Sequence, residues 1–204
     1  MLLDEIKLPV QKRSRERLEK VVETAISILE KKGLEHCTTA EISLQSDVPK
    51  AYIYQYFPTV NHLFILLVRR YLYYLQSNIG YRNQDYKKKN TKEITQDLII
   101  QVALFYNSHK AASILILGGP INVDGLNLQE IVISKIAQNI LNLLAQKDKP
   151  QTFSKPEEMT YLVEIVFALM KHSFYQYQYI TSDIQKESID LSHVYLQSKG
   201  HEID

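Results

Sequence analysis

Leu18, Val21, Val22, Ala25, Ile28 and Leu29 recur at intervals of three and four residues, which places them on one face of a helix. The spacing predicts a helix from about Ser14 to Lys32, with Ser14 as a lone cap and Gly33, behind Lys31 and Lys32, as its stop. Residues 1–12 show no such period and are expected to form a mobile arm. Thr38-Thr39-Ala40-Glu41 then reads as a capping box: Thr38 accepts from the Glu41 amide while Glu41 reaches back to the Thr38 amide. The short helix it opens carries Ile42 inward and runs to about Gln45. Ser46-Asp47-Val48 makes a tight turn, in which Asp47 tolerates a left-handed backbone. Pro49 suits the first turn of another helix, about 49–56, which Pro58 closes.

Two short helices joined by a three-residue turn and preceded by a longer one form a helix-turn-helix. If Ile53 and Phe57 face inward, then Lys50, Tyr52, Tyr54, Gln55 and Tyr56 lie largely on the other sides. Tyrosines on an exposed short helix bring hydroxyls that reach phosphate oxygens and rings that lie against sugar or a thymine methyl.

The same period continues to the end of the chain. A fourth helix is expected from about Val60 to Ile79, others near 92–109 and from Asn127-x-x-Glu130 to about Gln146, and two last ones at 157–180 and 183–198. Gly118-Gly119-Pro120 is a break rather than a phosphate loop. Residues 157–180 are apolar nearly all round, so that helix must be covered on two sides. The expected fold is all-α, about nine helices, with a helix-turn-helix head over 1–58 and a larger helical body over 59–204.

Composition narrows the function classes. Of 204 residues, 45% are hydrophobic and 23% charged, enough to bury a sizeable core. Lys and Arg total 24 against 23 Asp and Glu, so any basic surface must be local. Residues 1–57 hold nine basic and nine acidic side chains, so recognition of a polyanion would need those charges segregated. One cysteine, Cys37, precludes an internal disulfide and suits a reducing cytoplasm, where a small buried side chain or a redox-sensing thiol are the two readings. The N-terminus lacks the apolar region of a signal peptide, and the longest apolar run is too short to span a bilayer. No two of the six histidines have H-x₃-H spacing, and neither G-x-S-x-G nor a glycine-rich nucleotide fingerprint occurs. Metal, cofactor and catalytic residues are therefore expected to be none, and localisation cytoplasmic.

From Arg17 to about Leu67 the chain resembles the tetracycline-repressor (TetR) family of regulators. The resemblance is carried by Ala25, Gly33, Thr38, Ile42, Val48, Ile53, Tyr54, Tyr56, Phe57, Pro58 and Leu63, and above all by the block IYQYFPTVNHLF. It implies a three-helix DNA-binding head on a helical body that binds a small molecule and dimerises. Position by position, Lys50, Ala51, Tyr52, Gln55 and Tyr56 would be presented to the major groove. Tyr54 and Tyr56 would touch the backbone, and Thr38 and Thr39 would meet phosphates. Four positions depart from the family pattern: Asp47 replaces glycine, Pro49 a small polar cap, Tyr52 a small residue, and Val60 a lysine. Base preference is then not transferable. Asn61 or His62 would stand in for the missing lysine, and Arg13 and Arg15, with Lys12 and Arg17, would carry more of the affinity.

In the body, the resemblance implies an effector pocket between the fourth and eighth helices. Tyr71, Tyr74, Phe105, Tyr106, His109, His172 and Tyr175 are the candidate lining, which suggests an apolar or aromatic effector. It also implies a homodimer through the last two helices, with Val163, Val166, Phe167, Met170, Phe174, Leu191, Val194 and Tyr195 as interface candidates. Two function classes follow. One is a ligand-responsive regulator, most simply a repressor released from a near-palindromic operator. The other is a helical partner-binding scaffold that has lost DNA binding, for which Val60 and the net-neutral head argue.

Overall fold

The computed structural model describes residues 9, 11–78, 84–119, 122–123, 126–148, 150–151, 153 and 155–201. The expected arm, apart from Pro9, Gln11 and Lys12, lies outside them. Nine α-helices occur among the described residues: α1 (Lys12–Lys32), α2 (Thr39–Ser46), α3 (Lys50–Tyr56), α4 (Val60–Asn78), α5 (Thr91–Ser108), α6 (Lys110–Ile116), α7 (Leu128–Ala145), α8 (Glu157–Tyr177) and α9 (Ser182–Ser198). A two-residue antiparallel ladder pairs Asn122 with Asn127 and Val123 with Leu126.

The chain forms two compact units. One comprises residues 1–72 and 109–128, the other 73–108 and 129–204. The sequence places its boundary near residue 58, whereas the first unit runs on through Leu72 of α4 and takes in α6, which packs on α1.

In the first unit, the predicted face of α1 is buried as expected from Leu18 to Leu29. The helix starts two residues early, capped by no side chain, so Ser14 sits inside its first turn rather than at its cap. Gly33 ends it at φ 85°, a backbone that L side chains rarely adopt, and its amide donates to the Leu29 carbonyl. Only half of the expected capping box forms. Thr38 Oγ1 accepts from the Glu41 amide at 3.2 Å, but Glu41 Oε1 takes Lys32 Nζ and Gln45 Nε2, each at 2.6 Å, instead of reaching back. The Thr38 amide donates to the His36 carbonyl. Arg70 of α4 grips Glu19 of α1 with both terminal nitrogens, at 2.6 and 2.8 Å.

The second unit is a helical bundle in which α9 packs against both α5 and α8. An unforeseen box opens α5: Asn90 Oδ1 accepts from the Glu93 amide and Glu93 Oε2 accepts from the Asn90 amide. The α8–α9 turn is stitched at two points. Asn107 pairs its side-chain amide with both the N–H and the C=O of Ile180, at 2.7 and 2.8 Å. Ser173 Oγ donates to the Tyr179 carbonyl and accepts from the Thr181 amide. This turn stops α8 at Tyr177, three residues before the expected end, with Gln178 in the left-handed region at φ 62°.

Asp47 adopts φ 53°, ψ 32° between α2 and α3. Its tolerance for that backbone is shared by glycine but not by branched residues. Asp47→Val is therefore expected to cost about 1–2 kcal/mol in urea unfolding, while Asp47→Gly stays within about 0.5 kcal/mol of the parent.

Candidate nucleic-acid interface and ligand cavity

Helix α3 is fixed from behind. Ile53 and Phe57 are 2% and 1% exposed, so they seal the inner side, and Val48 is buried at the turn before them. Ser43 Oγ donates to the Val48 carbonyl and Ser46 Oγ accepts from the Val48 amide, which tie the turn to α2. Lys50, Ala51, Tyr54 and Gln55 are consequently exposed. Thr38 is exposed and Thr39 half-buried at the start of α2. Asn61 and His62 are half-buried in the first turn of α4, where His62 Nδ1 lies 2.8 Å from Thr59 Oγ1. Arg13 and Arg15 are exposed in the first turn of α1.

Tyr52 departs from the outward role given it by sequence. Its hydroxyl donates to the Ser14 carbonyl at 2.6 Å, its ring stands 5.2 Å from that of Tyr56, and the Arg17 guanidinium lies 5.7 Å above its centroid. Burial first, then the neighbouring Tyr56 hydroxyl, hold its phenol above the ordinary range. Both Tyr52 and Tyr56 are half-buried, so the outward set shrinks to Lys50, Ala51, Tyr54 and Gln55. The apolar spacing of α1 and α3 gave no sign of this bracket, because a ring and hydroxyl at residue 52 meet a backbone carbonyl 38 positions away.

Cys37 is buried, its thiol 3.6 Å from the Ala25 carbonyl, and burial pushes it up to about 12. It reads as a small core side chain rather than an exposed reactive thiol.

The second unit contains a cavity of about 70 Å³ between α5, α7, α8 and α9. Ile94, Leu98 and Val102 of α5 face Ile136 and Ile140 of α7 across it. Val163, Val166, Phe167 and Met170 of α8 close one side, and Ser192 and Leu196 of α9 another. Of the seven expected pocket residues only Tyr106 lines it. Phe105 is buried between Tyr74 and Tyr106, at ring distances of 6.2 and 5.3 Å. Tyr71 and His109 stand edge to face at 6.0 Å in the first unit. His172 and Tyr175 are exposed on α8. Aromatic content pointed away from the cavity because its walls are mainly aliphatic, and aliphatic residues at helical spacing read as plain core.

The same helix faces correct the expected interface. Val163, Phe167, Met170 and Phe174 are buried in their own protomer and Val166 is half-buried at the cavity, so these five do not form an outer surface. Leu191 and Val194 are 42% and 62% exposed, and Tyr195 is half-buried. On α8 the outer stripe is instead Tyr161, Ile165, Ala168, His172 and Tyr175, all exposed at alternating steps of four and three.

Among the described residues no group of three or more His, Cys, Asp or Glu is placed to hold a metal ion, and no helix is long and apolar enough to cross a membrane. Solved structures share this arrangement of helices. A TetR-family transcriptional regulator from Streptomyces coelicolor superposes with a TM-score of 0.67 at 14% identity, over 89% of this chain and 98% of that one. The chain has the TetR-regulator fold. The multidrug binding protein EbrR, solved with imidazole, shares that TetR-type fold with a TM-score of 0.63 at 12% identity, over 88% and 94% of the two chains. No family model and no curated protein matches the sequence.

Two measurements test the local chemistry of this TetR-type head. Tyr52→Phe removes the bond to Ser14 but keeps the ring, and is expected to lower stability by about 0.5–1.5 kcal/mol in urea denaturation, with faster amide exchange in the first turn of α1. Cys37 is expected to resist alkylation near pH 8.5 in the folded protein and to react fully once unfolded. Because the folded thiol keeps its proton to about 12 while the ordinary value is 9.0, the linked stability falls as pH rises above about 9.

Proposed function

We propose that the protein is a DNA-binding transcriptional regulator, acting as a homodimeric repressor that a small molecule releases from a near-palindromic operator. The observation that carries this reading is α3: a seven-residue helix sealed by Ile53 and Phe57 that exposes Lys50, Ala51, Tyr54 and Gln55 together. In a major groove, Lys50 and Tyr54 supply donors to phosphate oxygens, and Ala51 and Gln55 face base edges. Thr38, Thr39, Arg13, Arg15 and Asn61 surround them as further backbone contacts.

The zero net charge of the head is less of an obstacle than it suggests. Glu41 is engaged by Lys32 and Gln45, which hold its carboxyl below the usual range, and Glu19 is engaged by Arg70, a residue outside the first 57. Arg13, Arg15 and Lys50 stay exposed.

The outer stripe of α8 and the exposed Leu191 and Val194 of α9 support dimerisation through these two helices. Tyr161, Ile165 and Tyr175 are 56%, 37% and 52% exposed, a large apolar investment for a surface facing water. A two-fold dimer would set its two α3 helices about one DNA turn apart, roughly 34–36 Å.

A gel shift with the DNA upstream of its own coding sequence, at low salt, tests the reading. Binding is expected, with a steep salt dependence. Lys50→Ala and Tyr54→Ala should each weaken it about tenfold, Lys50→Ala also lowering the salt slope by about one, without dissociating the dimer in light scattering. No binding to any fragment at low salt would favour the partner-binding scaffold.

A further inference from the structure

The cavity between α5, α7, α8 and α9 has walls whose chemistry restricts its occupant. Among the described residues, none that lines it is charged. Its polar side chains are Thr95, Tyr106 and Ser192, and two of these have already spent their protons. Thr95 Oγ1 donates to the Thr91 carbonyl at 2.7 Å, and Ser192 Oγ donates to the Ser188 carbonyl at 2.6 Å. What each of these two hydroxyls still offers is an acceptor lone pair, whereas the Tyr106 phenol can both donate and accept. A carboxylate entering this space would meet two acceptor oxygens, one neutral phenol and, among the described residues, no cation to offset its lost hydration. An ammonium would find acceptors but no counter-charge, at the full cost of losing its hydration.

We infer that the cavity binds an uncharged, mainly aliphatic molecule carrying at most one neutral polar group such as a hydroxyl, and that it excludes organic anions and cations of the same carbon skeleton. The inference rests on the regulator reading only for its biological meaning; the wall chemistry stands without it. The resting volume, about 70 Å³, is small beside the roughly 150 Å³ apolar cavity that admits benzene. Met159 and Met170 both line the space, and their flexible thioethers let it widen to take a chain of about six carbons.

The occupant also touches the helices that carry the outer stripe. On α8, Val163, Phe167 and Met170 line the cavity while Ile165, Ala168 and His172 face outward. On α9, Ser192 and Leu196 line it while Leu191 and Val194 face outward. A ligand that widens the cavity therefore presses directly on the reverse side of those surfaces.

Met159 and Met170 are two of the three methionines, so ¹³C-methyl methionine labelling reports on the cavity with one other signal, that of Met1. The probes are 1-hexanol, hexanoate and hexylammonium at pH 7, added to the full chain without DNA. Saturable shifts of the Met159 and Met170 methyls are expected with 1-hexanol, and binding at least about 100-fold weaker with both ions. Val102→Phe, which fills the cavity, should abolish the 1-hexanol shifts in protein whose helical circular dichroism is unchanged. Should that variant not fold, the comparison of the three probes on the parent chain decides alone. Hexanoate or hexylammonium binding as tightly as 1-hexanol at the same methyls, or neither methyl moving with 1-hexanol, would overturn the inference. Because no DNA is present, failure here leaves the regulator reading standing, and a chain that binds no DNA can still pass.

Discussion

Helix α3 has seven residues, too few to be stable in water on backbone hydrogen bonds alone. Its existence depends on tertiary burial of Ile53 and Phe57. These two positions fix both that the helix forms and how it is rotated, since with them inward the exposed face is settled for Lys50, Ala51, Tyr54 and Gln55. The turn in front must deliver the chain at the right angle, and it does so through a left-handed Asp47 and two serine hydroxyls bonded around Val48. A loss at either place would alter the outward set without touching any residue in it.

How much of this was legible depended on whether a residue acts through its periodicity or through one particular contact. The helix-turn-helix was readable because buried positions repeat: Leu18 through Leu29, Ile42, Val48, Ile53 and Phe57 are all buried where spacing put them. The short α6 was missed because its seven residues end at Ile116, just before Leu117-Gly118, where a Cβ at Gly118 would lie 2.5 Å from the Ile114 carbonyl oxygen, a crowding that spacing does not register. The start of α5 was misplaced by one residue although Asn90-x-x-Glu93 is a capping signal in plain view. Glu41 shows the reverse error: the capping pattern was present, but a lysine nine positions away competed for the carboxylate and won. A charged donor forms the stronger bond, so local patterns yield to a cation within reach.

The candidate sites in the second unit were less legible for a related reason. Helix α8 is apolar nearly all round, and sequence alone does not say which of its apolar sides faces inward. The structure assigns Val163, Phe167, Met170 and Phe174 to the protomer's interior and the 161–165–168–172–175 stripe to the outside. Both stripes have helical spacing, so periodicity could not separate them. What separates them is their surroundings: Val163, Phe167 and Met170 line the cavity that α5, α7 and α9 also border, while the two tyrosines, isoleucine, alanine and histidine of the outer set are exposed.

Tyr52 shows how a single substitution redistributes work within such a head. A small residue there would lack the hydroxyl that bonds the Ser14 carbonyl and the ring beneath Arg17. The tyrosine instead joins them through its hydroxyl and offers its ring face to Arg17. A side chain committed to three partners at once has little freedom left for a base edge. In the regulator reading, its contribution to recognition is thus one of placement: it holds the first turn of α1, with Arg13 and Arg15, in a fixed position relative to Lys50 and Tyr54. Specificity then falls on fewer side chains, and affinity on how rigidly the basic turn is held beside them, which is a property of the fold rather than of the contact residues.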